Sequence, residues 1–156
     1  MVGGGVEVEH VSELKQQVKR LCASQRLCVL ATQYDGQPYS SLVAFAEADD
    51  LRRLIFVTSR NSRKYAYSRA NPKVAMMIDS RTNQASDFDN ALAVTAIGNV
   101  EEVTGKEREG LAGKYLAKHP YLAEFVSRPG QVLMSTRVTE YIMACFDRVQ
   151  VIHVND

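Results

Sequence analysis

The sequence has no apolar run near the ~18 residues a helix needs to cross a bilayer, and its start shows no cationic stretch followed by an apolar one. A cytoplasmic protein that works without a membrane is therefore expected. The three cysteines, Cys22, Cys28 and Cys145, are an odd number, form no C-x-x-C pair and each lie in an apolar segment. That is the pattern of reduced core thiols, not of a disulfide framework or a zinc site. His10, His119 and His153 are scattered along the chain, so no metal site is expected. Neither G-x-G-x-x-G nor a P-loop occurs, which argues against the usual phosphate cradles of doubly wound folds.

One further absence is local. Residues 51–78 contain no Asp or Glu, yet hold Arg52, Arg53, Arg60, Arg63, Lys64, Arg69 and Lys73. The whole chain carries only +1, so the positive field is confined to one region. Such a field suits a compact polyanionic ligand better than a nucleic acid. Within it, 56–65 reads as an apolar strand, a hydroxyl-rich turn and the start of a helix carrying Arg60, Arg63 and Lys64. A helix N-terminus has unpaired N–H groups and a partial positive charge, so cations there repel the dipole unless an anion joins them. A phosphate is the anion expected.

With 156 residues, 46% apolar and 24% charged, the chain is long enough for one real core. Residues 1–10 are expected to be a flexible tail, with 11–156 forming a single domain. Val11, Leu14, Val18, Leu21 and Cys22 recur at helical spacing. A strand over 27–32 meets Asp35-Gly36, a dipeptide suited to a tight hairpin, and a second strand runs over 38–46. That strand has no strongly polar face, so both faces are expected to be covered, one of them by a ligand or partner.

A third strand spans 54–58, and the helix after it ends at Asn71-Pro72 because of the proline ring. The fourth strand is 73–79. Residues 80–90 read as an exposed loop. The fifth strand, 91–103, is expected to bend or bulge at Gly98. Thr104 and Glu107 have the spacing of a capping box for the next helix, which breaks at His119-Pro120. A helical turn over 121–126 and strands over 132–145 and 149–154 complete the chain. About seven strands joined by short turns, with three helices at the periphery, predict an α+β fold built on a predominantly antiparallel barrel.

Phe56-Val57-Thr58, then Ser62-Arg63-Lys64, a helix, Asn71-Pro72 and a Val-containing strand, all preceded by the Asp-Gly hairpin, resemble the pyridoxamine 5′-phosphate oxidase-like FMN-binding split barrels over roughly 27–103. The resemblance implies a split β-barrel homodimer with FMN between the subunits and a flavin-dependent oxidoreductase acting on a small molecule, with a nicotinamide as possible electron donor. It also implies that Arg63 and Lys64 hold the phosphate, helped by Val57, Thr58, Ser59 and Ser62. The backbone of Ser40, Ser41, Leu42 and Val43 would line the flavin ring, and Arg81 and Asn83 would reach the flavin of the opposite subunit.

A non-enzymatic flavin carrier or sensor is the alternative, as is a relative binding haem, through His153, or deazaflavin. The departures are specific. Ser41 and Ala46 stand where authentic pyridoxamine-phosphate oxidases carry a phosphate-binding Arg and a substrate-binding Lys. Ala93 stands near a family glutamine, and the C-terminal Arg-x-His motif is absent. The resemblance thus implies FMN without implying oxidation of a vitamin B6 phosphate.

Overall fold

The computed structural model describes residues 4–155. Its elements are α1 (Gly4–Ser24), β1 (Leu27–Tyr34), β2 (Gln37–Ala48), β3 (Arg53–Ser59), α2 (Arg63–Ala70), β4 (Lys73–Asp79), α3 (Asp87–Asn90) and β5 (Ala93–Glu102). They are followed by α4 (Lys106–Lys118), a 3-10 turn (Pro120–Leu122), α5 (Ala123–Ser127), β6 (Gln131–Ala144) and β7 (Val149–His153). The strands form one antiparallel sheet in the order β3-β2-β1-β4-β5-β6-β7. A further pairing of β3 with β6, from Arg53 opposite Arg137 to Ser59 opposite Gln131, closes six strands into a barrel. The expected α+β antiparallel split barrel is what forms.

Local chemistry explains several of these elements. Tyr34 and Gln37 pair across a two-residue turn in which Asp35 (φ 50°) and Gly36 (φ 77°) are both left-handed, the conformation for which Asp-Gly is suited. The predicted irregularity at Gly98 is a register shift between Ile97 and Gly98. A Cβ on Gly98 would lie 2.1 Å from the carbonyl oxygen of Arg137, so only glycine lets β5 and β6 approach there.

Side chains alternate through the barrel wall. Leu30, Phe45, Phe56, Met76, Val94 and Met134 belong to the interior cluster. Leu14, Val18, Leu21 and Cys22 of α1 join that cluster and close the end marked by the β2–β3 turn. Lys15 and Lys19 ion-pair there with Asp50 at 2.6 and 2.5 Å, and these two cations hold the Asp50 carboxyl at about 2. The turn itself is strained, with Asp49, Asp50 and Leu51 at φ 52°, 56° and 70°. The buried hydroxyl of Tyr141 donates to the Leu51 carbonyl at 2.6 Å and fixes it.

A second core lies outside the wall. Ala46 and Ala48 of β2 are small enough for α4 to lie flat on the strand, and Ile55, Val57, Val103, Leu111, Tyr115 and Leu133 complete the cluster. His119, at the end of α4, is buried with its Nε2 2.7 Å from the Phe45 carbonyl, a helix-end role. Lys118 beside it donates to the Cys22 carbonyl (2.7 Å) and to Glu47 (3.0 Å), tying α4 to α1. All three cysteines are free, and Cys22 and Cys28 are buried in the core as expected. Among the described residues no cluster of side chains is arranged to hold a metal, and no helix is long and apolar enough to cross a membrane.

Four expectations need correction. Helix α1 starts at Gly4, within the expected tail 1–10; residues 1–3 lie outside the described residues. No proline interrupts the segment, and a nucleated helix extends at little cost per residue. The capping box does not form: α4 begins at Lys106, so Gly105 (φ 69°) rather than Thr104 occupies its cap, without a side-chain bond, and Glu107 ion-pairs with Arg53. The loop 80–90 contains the short helix α3, and the peripheral helices number five among the described residues, with the segment 121–126 split between the 3-10 turn and α5.

Gly98→Ala is expected to cost ~1–3 kcal/mol, the usual penalty for overpacking. Gly113→Ala on α4, where a Cβ meets nothing within 4 Å, should instead gain ~0.5–1 kcal/mol from helix propensity. Urea unfolding of the two variants checks both signs.

Candidate functional site

The β3–α2 connection is built from hydroxyls. Ser62 caps α2 by accepting from the Tyr65 amide at 3.2 Å, and its Oγ lies 2.9 Å from Thr58 Oγ1. Ser59 Oγ accepts from the Asn61 amide at 3.2 Å. Each hydroxyl accepts or shares a bond within the turn, which leaves O–H donors of Ser59 and of one member of the Thr58–Ser62 pair for a ligand. Asn71 ends the helix, its amide bonded to the Tyr67 carbonyl.

The cations of this turn divide into two groups. Arg60 is matched by Glu102 of β5, with Nη2 2.6 Å from Oε1, while the Tyr65 hydroxyl donates to Oε2 at 2.9 Å. The Glu102 hydrogen bond raises the Arg60 pKa above its ordinary value. Arg60 therefore does not join the anion site read from the sequence; a carboxylate distant in sequence answers it. Arg63 and Lys64 have no ion-pair partner among the described residues. The positive charge at the start of α2 is thus carried by the Arg-Lys pair.

Beside them is a cavity of about 370 Å3, with Ser59, Ser62 and Lys64 among its lining residues and an apolar wall of Leu42, Val57, Leu122 and Phe125. Of the expected site residues, Leu42, Val43, Val57, Thr58, Ser59, Ser62 and Lys64 meet on this cavity. Arg63 is not in its lining; its guanidinium lies over the Tyr39 ring at 5.1 Å. Ser40 is exposed on β2. The Ser41 hydroxyl is buried with no hydrogen-bond partner. Arg81 and Asn83 line a separate cleft, so within one subunit they are not brought to the cavity.

Tyr34 and Tyr39 pack on Tyr67 of α2, with ring centroids 5.4 and 5.8 Å away. They hold the helix to the hairpin. Sequence reading missed Tyr115, Leu122, Phe125 and Gln131, which also line the cavity. Gln131 reaches it through the β3–β6 pairing with Ser59, and its side-chain oxygen is buried without a partner. No motif marks that residue.

The family model described as pyridoxamine 5′-phosphate oxidase matches residues 14–145. The chain belongs to this family. A pyridoxamine 5′-phosphate oxidase homologue of Schizosaccharomyces pombe is 30% identical over 93 residues, covering 53% of this chain and 48% of the relative. The chain thus matches about half the length of that member. Among solved structures, a haem-binding protein of Mycobacterium smegmatis superposes with a TM-score of 0.79 at 16% identity, over 89% of this chain and 57% of the other. An FAD-binding protein of Mesorhizobium loti gives 0.63 at 22% identity, over 82% and 91%. At these identities the two structures speak for the fold of the family.

Ser62→Ala removes the α2 cap and the Thr58 contact together. It should destabilise the protein by ~1 kcal/mol, while Ser62→Asn, which keeps a capping oxygen, should retain most of the stability in chemical denaturation.

Proposed function

We propose that the chain is an FMN-binding flavoprotein acting as an oxidoreductase on a small molecule. One observation carries the reading: Lys64 and the Ser59 and Ser62 hydroxyls line a cavity whose remaining wall is largely apolar, and a second unpaired cation, Arg63, adjoins Lys64 at the start of α2 outside that lining. A ligand suited to it has an aromatic body and a phosphate end. The residues present fit FMN. Arg63 offers a planar fork for two phosphate oxygens and Lys64 a compact charge. Leu42, Val57 and Phe125 supply apolar surface, and Gln131 an unsatisfied polar atom.

FMN would supply hydride or electron transfer, so the protein's tasks are orientation and electrostatics. A nicotinamide is the proposed donor. The vitamin B6 phosphate of the family name is not proposed as substrate. Ala46, at the position of the family's substrate-binding lysine, is buried under α4. Among the described residues no histidine lines this cavity: His119 is bonded to the Phe45 carbonyl, His153 is exposed on β7 beside Glu140, and His10 is bonded to Gln150.

A homodimer forms part of the proposal, supported by the outer barrel wall. Leu42 lies opposite Val29, Val29 opposite Met77, Met77 opposite Thr95, Thr95 opposite Ile142 and Ile142 opposite Val151. Six strands thereby contribute to one transverse row, apolar except for Thr95, and none of its members is buried. A second copy seated on this row removes the apolar stripe from water.

Visible spectroscopy of FMN-loaded protein should show paired near-ultraviolet and blue bands, and anaerobic NADH or NADPH should bleach them. Arg63→Ala with Lys64→Ala should weaken FMN in a fluorescence titration by ~1.5–3 kcal/mol for each charged hydrogen bond lost, with circular dichroism unchanged. Unaltered affinity would refute the phosphate assignment. Sedimentation should give a dimer, and Met77→Glu, which puts a charge in the middle of the row, should give a folded monomer.

A further inference from the structure

A cavity of about 390 Å3 opens at the far end of β3 from the Ser59–Ser62 turn, where the start of β3, the middle of β6 and the segment after β7 meet. Arg52, Arg53 and Arg137 line it, together with Asp49 and Asn155. Arg53 and Ser59 are the two ends of β3, roughly 20 Å apart at the usual rise of a strand. The arginine-lined cavity is therefore distinct from the one beside α2.

The backbone puts two of these arginines where like charges repel. Arg53 lies directly opposite Arg137 in the β3–β6 pairing, and like charges directly opposite one another destabilise a sheet. The row runs on through Asn99 of β5 to Lys73 of β4, an amide and a further cation, with no carboxylate in register. The frame around the row is fixed. The Arg52 amide donates to the Asp49 carbonyl at 3.2 Å, the Val138 amide donates to the Arg52 carbonyl at 2.9 Å, and the Val154 amide donates to the Thr139 carbonyl at 2.8 Å.

Folding answers one of the three guanidinium groups and leaves two with donors to spare. Arg53 Nε lies 3.0 Å from Asp49 Oδ2 and its Nη2 pairs with Glu107, while its Nη1 is buried with no hydrogen-bond partner. Arg137 meets Glu101 at 3.5 Å, and both side chains are more than half exposed, so the contact is worth little. Arg52 is exposed and has no ion-pair partner among the described residues. Asp49 is already shared between Arg53 and Lys114.

The lining thus sets three cations against one carboxylate, and its two available guanidinium groups sit on separate elements, the β2–β3 turn and β6. A guanidinium takes a carboxylate through two parallel N–H···O bonds. A ligand with one acidic group engages one arginine; a ligand with two engages both, and its two charges match the excess of the lining. Val154 in the wall offers apolar surface to a short carbon chain joining them.

We propose that this cavity binds a small dicarboxylate, one carboxylate on Arg52 and the other on Arg137, beside the charge of Arg53. The site is independent of the flavin reading.

The test is a calorimetric titration of the full chain at fixed ionic strength with malonate, succinate and glutarate, against butyrate and inorganic phosphate. The best of the three dicarboxylates should bind at least tenfold more tightly than butyrate or phosphate. Arg52→Gln and Arg137→Gln should each weaken it at least tenfold at an unchanged unfolding midpoint, since both side chains are exposed. Arg52→Lys, which keeps the charge and loses the fork, should weaken it severalfold. Arg69→Gln, which removes an exposed arginine at the end of α2, should leave the affinity unchanged, as should saturating FMN.

The proposal is overturned if none of the three dicarboxylates binds, if butyrate or phosphate binds as tightly, or if the Arg52 and Arg137 variants bind unchanged. It is also overturned if Arg69→Gln weakens binding as much, which would make net charge the cause, or if FMN displaces the dicarboxylate, which would place it at the α2 turn. Dicarboxylate binding without FMN binding would support this cavity and refute the flavin reading; FMN binding without dicarboxylate binding would do the reverse.

Discussion

The pairing of β3 with β6 is the constraint on which the molecule depends. It joins strands far apart in the chain, turns an open sheet into a barrel and leaves β3 buried on both faces, with Leu54 and Phe56 inside and Ile55 and Val57 under α4. It also assembles the cavity. Ser59 and Gln131 become neighbours, the Arg60 amide reaches the Gly130 carbonyl at 2.9 Å, and the start of α2 is carried to the edge of the outer core. A turn on a free strand end would be floppy. Here it is clamped by seven paired positions behind it.

What was legible in the sequence was local. Asp35-Gly36, Asn71-Pro72 and Gly98 each act through backbone conformation or steric room that a few neighbouring residues determine, and the hairpin, helix end and bulge lie where they indicate. The expectation for β2 is met only in part: its outer face is covered by α4 of the same chain over Ala46 and Ala48, and Leu42 on that face is exposed. The misses were long-range. Glu107 completes a capping-box pattern, but a cation from β3 outbids a single amide for its carboxylate. The residues 51–78 look uncompensated until Glu102 arrives from β5. Gln131, Leu122 and Phe125 enter the cavity only because β6 and the segment before it fold back against β3 and α4.

The basic segment shows how charge is sorted by folding. Arg53 is taken by Asp49 and Glu107 and Arg60 by Glu102, so at the β3–α2 turn itself the unmatched cations among the described residues are Arg63 and Lys64, while Arg52, Arg69 and Lys73 lie away from it. The Arg63 guanidinium lies over the ring of Tyr39, whose own neighbour Tyr67 belongs to the same helix. An unpaired guanidinium held by stacking keeps its donors directed without spending them on a carboxylate.

The three thiols end in unequal surroundings. Burial pushes Cys22 and Cys28 up to about 12, which keeps them as protonated, unreactive core side chains near neutral pH. Cys145 is half-buried in the lining of the cleft that holds Arg81 and Asn83. The chain therefore carries a natural reporter position: a small alkylating reagent meets one thiol well before the other two, and its rate of reaction measures how open that cleft stands.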